Sequence, residues 1–308
     1  MIDAGLLVVD KPEGMTSHDV VARIRRAAGT RKVGHAGTLD PMATGVLVVG
    51  VERATRLLGH LALADKRYLA TIRLGATTVT DDREGASLVT ASRAALAAVS
   101  DEAIRAGIVA LTGDIRQRPS AVSAIKVAGR RSYDRVRAGE DIVLAERPVH
   151  VARFDALLIR RQPRDGDPEG NIDVDVDVEC STGTFVRALA RDLGEALGVG
   201  GHLTALRRTR VGGFADPVPL AEAQADPAGH LVPLDEVAAA AFPTWRVDSP
   251  AARAVAFGQR IAWAGPPSAA GPVAVLSPEG RLLALAVDDG GLARYLAVFA
   301  CQGDRHAQ

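Results

Sequence analysis

One acid stands alone in a glycine-rich stretch, Gly34-His35-Ala36-Gly37-Thr38-Leu39-Asp40-Pro41-Met42-Ala43-Thr44-Gly45. Pro41 drives Asp40 out of helical angles into extended backbone. Gly34, Gly37 and Gly45 allow sharp turns and close approach of another segment. No other residue of the stretch is charged at neutral pH, so the carboxylate has no cation beside it in sequence. A carboxylate fixed in this way can act as a nucleophile. Gly, Asp and Pro also build ordinary β-turns for conformational reasons alone, and on local chemistry the turn is the simpler reading. Two other reactive side chains hold informative positions. Arg187 falls in the first turn of a predicted helix, where the dipole favours anions by about 0.3–1 kcal/mol. A cation there makes sense if it meets a carboxylate from elsewhere in the chain. Tyr68, one of three tyrosines, belongs to Lys66-Arg67-Tyr68 at the head of a predicted strand. It is either a core or edge aromatic or a ring on which a base stacks, worth about 1–3 kcal/mol.

Motifs of several other chemistries fail. Gly29 and Gly34 are spaced like the ends of a phosphate-cradling loop, but His35 stands where that loop needs Lys. Asp165-x-Asp167-x-Glu169-Gly170 starts like a calcium loop, yet its twelfth position is Val176 and Pro168 intrudes. Asp81 and Asp82 are adjacent, but no third carboxylate or carbonyl-rich spacing follows, so no metal is expected. Cys180 and Cys301 form no CxxC pair, which speaks against a zinc site or a disulfide framework.

Around Asp40 the pattern Gly-His-x-Gly-x-Leu-Asp-Pro-x-Ala-x-Gly-Val-Leu is complete from Gly34 to Leu47. It is long, ungapped and includes residues that a turn does not need. It resembles the signature of the TruB family, bacterial enzymes that convert uridine 55 of tRNA to pseudouridine. Lys11-Pro12-x-Gly14-Met15-Thr16-Ser17, Lys66-Arg67-Tyr68, the stretch from Gly113 to Lys126 and the stretch from Gly200 to Arg208 resemble further blocks of that family.

The resemblance implies both a fold and a site. The fold is α+β: a mixed, mostly antiparallel central sheet flanked by helices and loops, with a small β-rich PUA-like domain at the C-terminus. Asp40 is implied as the catalytic acid, Arg187 as its ion-pair partner, and Tyr68 as the ring that stacks on the uracil and takes part in proton removal. His35 is implied to enter the tRNA arm as a wedge; extruding a base costs a few kcal/mol. Phe185 and Leu206 are implied to line the uracil pocket, Arg207 and Lys126 to contact the substrate, and Lys11 to sit beneath the catalytic loop at the substrate site. The family usually has Tyr where this chain has Phe185, so a role that needs a hydroxyl there is lost. No cofactor and no metal are implied. The partner is the TΨC stem-loop of tRNA, with no membrane and no protein partner. Two rival readings are a tRNA-binding folding chaperone without catalysis and a phosphate-ester hydrolase that uses Asp40 with a divalent cation.

The elements that must position these residues follow from periodicity. The 308 residues suit one large and one small domain. The expected division is a catalytic domain at 1–238, carrying an RNA-binding insertion at about 114–150, and a C-terminal domain at 239–308. Predicted elements of the first are a strand at 6–9, a helix capped by Ser17, a strand at 46–51, a helix over 52–61, a strand at 66–75 and a helix over 91–111 broken near Gly107. The strand at 172–178 alternates Val inward with Asp on a solvated face. From about Phe242, short apolar runs around Trp245, Val247, Val255, Phe257, Ile261, 273–276 and 282–285 read as strands. Lys and Arg together number 37, as do Asp and Glu. With no net charge, any phosphate contact must come from local clusters such as Arg23 to Lys32 and Gly129 to Gly139. No apolar run approaches the ~20 residues of a membrane span, and Met1-Ile2-Asp3-Ala4-Gly5 shows neither a basic n-region nor a long apolar core. A cytoplasmic monomer is expected.

Overall fold

The computed structural model describes residues 2–120, 144–161, 170–268 and 271–299, together with the backbone of 126–127 and 130–131. The Lys126 side chain and most of the expected RNA-contacting insertion lie outside the described residues.

A single large sheet runs in the order Val218–Pro219, Gly5–Lys11, Thr44–Val51, Gly201–Val211, Lys66–Leu74, Ile172–Cys180, Arg147–Arg160, Gly113–Gln117. Val33–Ala36 adds to Thr44–Val51, and Val232–Pro233 adds to Gly5–Lys11. Among these described strands only two pairings are parallel: Gly5–Lys11 with Val218–Pro219, and Thr44–Val51 with Gly201–Val211. The unbroken apolar run Val46 to Val49 reflects cover on both faces. Leu47 and Val49 pack with Val20, Val21 and Ile24 of the helix Ser17–Ala27, whereas Val46 and Val48 share a core with Ala274, Leu276 and Leu285 of the C-terminal unit.

The strand Ile172–Cys180 buries Val174, Val176 and Val178 as its alternation predicts. Its aspartates do not form the expected solvated face. Asp173 pairs with Arg73 at 2.8 Å, Asp177 accepts from Arg67 and Arg153, and Asp175 pairs with Arg160 and accepts from Thr71 at 2.8 Å. Antiparallel pairing on both sides brings arginines from two neighbouring strands opposite one acidic row.

Other expectations need correction. Thr16, not Ser17, caps the first helix, in a reciprocal capping box with Asp19. The predicted helix over 52–61 is a 3-10 turn, Glu52–Arg56, followed by the short helix Leu58–Leu61. The predicted helix over 91–111 is two helices, Arg93–Ala98 and Asp101–Ala110, divided where Ser100 caps the second. Gly107 does not break that second helix; a Cβ there would lie 2.6 Å from Leu193 of the helix Val186–Ala196, so glycine permits the two helices to approach. In the C-terminal unit the strands Thr244–Arg246, Val273–Leu276, Leu282–Asp288 and Ala293–Val298 form a four-stranded sheet. The Val255 segment is a helix, Ser249–Ala256, with Asp248 as its cap and a proline in its first turn. This unit is fastened to the main one by Arg53 on the Phe299 carbonyl, Arg56 on the Val298 carbonyl and the Asp235 carboxylate on the Leu282 N–H at 2.6 Å. Among the described residues no helix is long and apolar enough to cross a membrane.

Candidate active site

Asp40 lies in the loop between the strands Val33–Ala36 and Thr44–Val51, and the backbone around it is tied down at several points. The Leu39 N–H donates to Ser17 Oγ at 2.9 Å. Pro41 O accepts from the Gly14 N–H at 2.9 Å and from Lys11 Nζ at 3.1 Å. The Arg208 guanidinium donates to Gly37 O at 3.0 Å, to Thr38 O at 3.4 Å and to Val46 O at 2.8 Å. Gly45 has φ +98° and a Cβ there would lie 2.2 Å from Arg208 O, so the parallel strand can reach the loop only because this residue is glycine.

Lys11 and Arg208 are fully or nearly fully buried beneath the loop. Lys11 Nζ also donates to Pro12 O at 2.9 Å and Met15 O at 2.6 Å. Burial pulls the Lys11 ammonium down to about 8, partly offset by the nearby Asp40 carboxylate. Its geometry is that of a brace for the loop, and in this conformation it offers no donor to a bound substrate.

The helix Val186–Ala196 brings Arg187 to Asp40. Nε lies 3.0 Å from Oδ2 and Nη2 lies 3.2 Å from Oδ1, a two-point contact that fixes the plane of the carboxylate. The same guanidinium turns its Nη1 to Thr80 O at 2.8 Å and to Asp82 Oδ2 at 3.4 Å. Arg187 and Asp82 are buried, while the Asp40 side chain is 33% exposed. The helix start itself is held by Gln117, whose side-chain amide accepts from the Phe185 N–H at 2.7 Å and donates to Phe185 O at 3.1 Å.

Asp40 opens onto a cleft of about 390 Å³ whose wall includes Tyr68, Phe185, Arg187, Leu206, Lys66 and Thr184. Small-molecule and nucleotide sites typically fall in this size range. Tyr68 is buried, and burial raises its phenol above the ordinary value, so the ring carries its proton near neutrality. Lys66 is lowered to about 8 by burial and donates to Ala62 O and Ala64 O at 2.9 and 2.6 Å.

His35 stands at the loop entrance with its ring edge-on to His18, centroids 5.3 Å apart, and its buried Nδ1 has no hydrogen-bond partner among the described residues. Burial, with His18 and Arg208 nearby, holds the imidazole below its ordinary value. Arg207 points away from the cleft and pairs with Asp10 at 2.7 and 3.0 Å.

Thus Asp40, Tyr68, Arg187, Phe185 and Leu206 surround one cavity, His35 lies two residues before its lining begins at Gly37, Lys11 lies under the Asp40 loop and Arg207 lies outside the cavity wall. Asp82, Gln117 and Ser17 had no such place in the sequence reading, and Arg208 stood there only as a family-block arginine for binding or architecture. Ser17, Gln117 and Arg208 fall within the blocks that resemble the family; Asp82 had as its cue an acidic doublet in a polar loop, and its partner Arg187 lies far away along the chain.

The fold is that of the pseudouridine synthase class. The chain is similar in structure to the Cbf5 chain of an archaeal box H/ACA sRNP Nop10–Cbf5 complex, with TM-score 0.73 and 26% identity over 100% of this chain and 89% of that one. It is likewise similar to a chain of an H/ACA RNP bound to a substrate RNA containing 2′-deoxyuridine, with TM-score 0.68 and 25% identity over 99% of this chain and 81% of that one.

Within that class the chain belongs to the TruB family. The TruB family pseudouridylate synthase N-terminal domain matches residues 25–186, the tRNA pseudouridylate synthase B C-terminal domain matches 187–241, and the tRNA pseudouridine synthase II C-terminal domain matches 242–300. Its relatives include tRNA pseudouridine synthase B of Arthrobacter sp. (strain FB24), 55% identical with 96% of this chain and 97% of that protein covered. The protein of that name from Streptomyces coelicolor is 56% identical, with 96% and 97% covered.

Proposed function

We propose that this chain isomerises uridine 55 in the TΨC arm of tRNA to pseudouridine, with Asp40 as the attacking group. Pseudouridylation of tRNA is the activity of its family, and more than half of its residues are identical to those of proteins named for that reaction. The observation that carries the finer reading is the Asp40–Arg187 contact at the edge of the cleft. Oδ1 accepts a hydrogen bond from Nη2 and Oδ2 lies 3.0 Å from Nε, while the Asp40 side chain stays 33% exposed beside the cavity.

In this reading His35 enters the arm as uridine 55 flips out, and the uracil lies between Tyr68, Phe185 and Leu206. Asp40 attacks C1′ of the ribose or C6 of the ring. The N1–C1′ bond breaks with its electrons staying on the uracil, and the uracil turns. C5 bonds to C1′, the bond to Asp40 breaks to restore the free carboxylate, the C5 proton leaves and N1 takes up a proton. Nothing is oxidised or added. Burial keeps Tyr68 as a phenol, which favours stacking for its ring and water for removal of the C5 proton. Residues 1–238 form the catalytic domain, with RNA contact from an insertion at about 114–150 that includes Lys126, and 239–308 form the C-terminal domain.

Tritium release from tRNA labelled at uracil C5 tests the reading. One tritium per transcript is expected, insensitive to EDTA and lost when position 55 is cytidine. No release from a folded, bound transcript overturns it.

A further inference from the structure

The helix Val186–Ala196 carries a second arginine one turn after Arg187, and the spacing puts both on one face. They grip consecutive residues of one loop. Arg187 holds Thr80 O and Asp82, and Arg191 Nη1 lies 3.2 Å from Asp81 Oδ2. Asp81 has φ +58°, a left-handed conformation that a non-glycine residue keeps only where its surroundings hold it there. Three contacts hold it here: the Arg191 ion pair, the Leu203 N–H on Asp81 O at 3.0 Å and the Asp81 N–H on Thr78 O at 3.3 Å. Arg191 is itself anchored by Asp192 at 2.7 Å and by Arg118 O at 2.7 Å.

This arrangement bears on the nucleophile because Arg187 serves two acids at once. Its Nη1 is committed to Asp82 and Thr80, which leaves Nε and Nη2 to face Asp40. Asp82 is also tied within the same loop, its Oδ1 by Thr80 Oγ1 at 2.6 Å and the Glu84 N–H at 3.0 Å and its O by Thr78 Oγ1 at 2.7 Å. A loop that relaxed at Asp81 would shift this whole set and with it the acid that fixes one arm of the guanidinium. We infer that Arg191 is a positioning residue: through Asp81 it sets Asp82, and through Asp82 it sets the plane in which Arg187 meets Asp40. The inference rests on the reading of Asp40 as the attacking group.

The test compares Arg191→Gln, Asp81→Asn, Asp82→Asn and the double variant Arg191→Gln/Asp82→Asn in single-turnover pseudouridine formation, with tRNA affinity and melting measured alongside. Asn tolerates a positive φ, so Asp81→Asn removes the charge without forcing the backbone to change. Expected results are a roughly tenfold slower chemical step in Arg191→Gln and Asp81→Asn, tRNA affinity within about twofold of the parent, and a double variant no slower than Asp82→Asn alone, since groups acting through one contact are not additive. Unchanged rates in both single variants, or multiplied losses in the double variant, would overturn the inference. Absence of pseudouridine with the parent would instead count against the reading on which it rests.

Discussion

The sheet carries arginine–aspartate pairs on both faces, and the two sets are built in opposite ways. On the face turned away from the helix Val186–Ala196, the acid is the hidden partner at the Asp177 cluster. The Asp177 side chain is 6% exposed and takes three hydrogen bonds from Arg67 and Arg153, whose cations reach the water. In the cleft the cation is hidden: Arg187 is 7% exposed, and Asp40 keeps an open side toward the cavity. The same two residue types therefore do different work. An acid saturated by surrounding guanidinium groups is a fastener between strands. An acid aimed by one buried guanidinium, with lone pairs left over, is placed to react.

The comparison breaks most sharply at Asp40. Asp40→Asn keeps the shape of the side chain and removes the proposed nucleophile, and pseudouridine formation should fall by roughly 10⁴-fold with tRNA affinity retained. A quench-flow time course reads this directly.

Arg187→Lys should cost less, about 10²-fold in the chemical step, because lysine keeps a charge and loses the fork that fixes the carboxylate plane. If the Arg187→Lys variant kept the parental rate, aiming would not be what the arginine supplies.

Tyr68→Phe keeps the ring, and a loss of about tenfold or less is expected for a residue that packs on the base. The parental rate should show no ascending alkaline limb from this phenol between about pH 7 and 9, because its titration is displaced upward by burial. A rate that climbs through that range and flattens in Tyr68→Phe would instead make Tyr68 the base.

The smallest effect belongs to the outer face. Asp175→Asn should cost about 0.5–1 kcal/mol in urea unfolding and leave the chemical step within about twofold. Asp175 is held below its ordinary value, first by Arg160 and then by Thr71. Its contribution is therefore present above the ordinary carboxyl value of 3.8 and is lost as pH falls below it, so parent and variant should converge in acid.

What could be read from the chain depended on distance in sequence. The loop around Asp40 announces itself because Pro41 and the three glycines act on their immediate neighbours. The alternation at 172–178 gives the buried valines for the same reason. The partners of the aspartates were not legible, since strand order decides which arginines stand opposite and periodicity does not encode order. Arg187 was legible as a misplaced cation in a first turn, and the family pattern supplied the acid that explains it. Arg208 was harder: its importance lies in three carbonyls it holds beneath the loop, and a buried arginine looks like any other in a run of Arg207 to Arg210. The C-terminal helix Ser249–Ala256 was hidden by apolar spacing that suits a short strand; its Asp-Ser-Pro opening was the overlooked cue.

The most direct test of the account is one single-turnover experiment with a tRNA transcript carrying tritium only at C5 of uridine 55. The account predicts stoichiometric release by the parent and none by Asp40→Asn, although both bind the transcript equally well. Release by Asp40→Asn at a rate close to the parent's would contradict it.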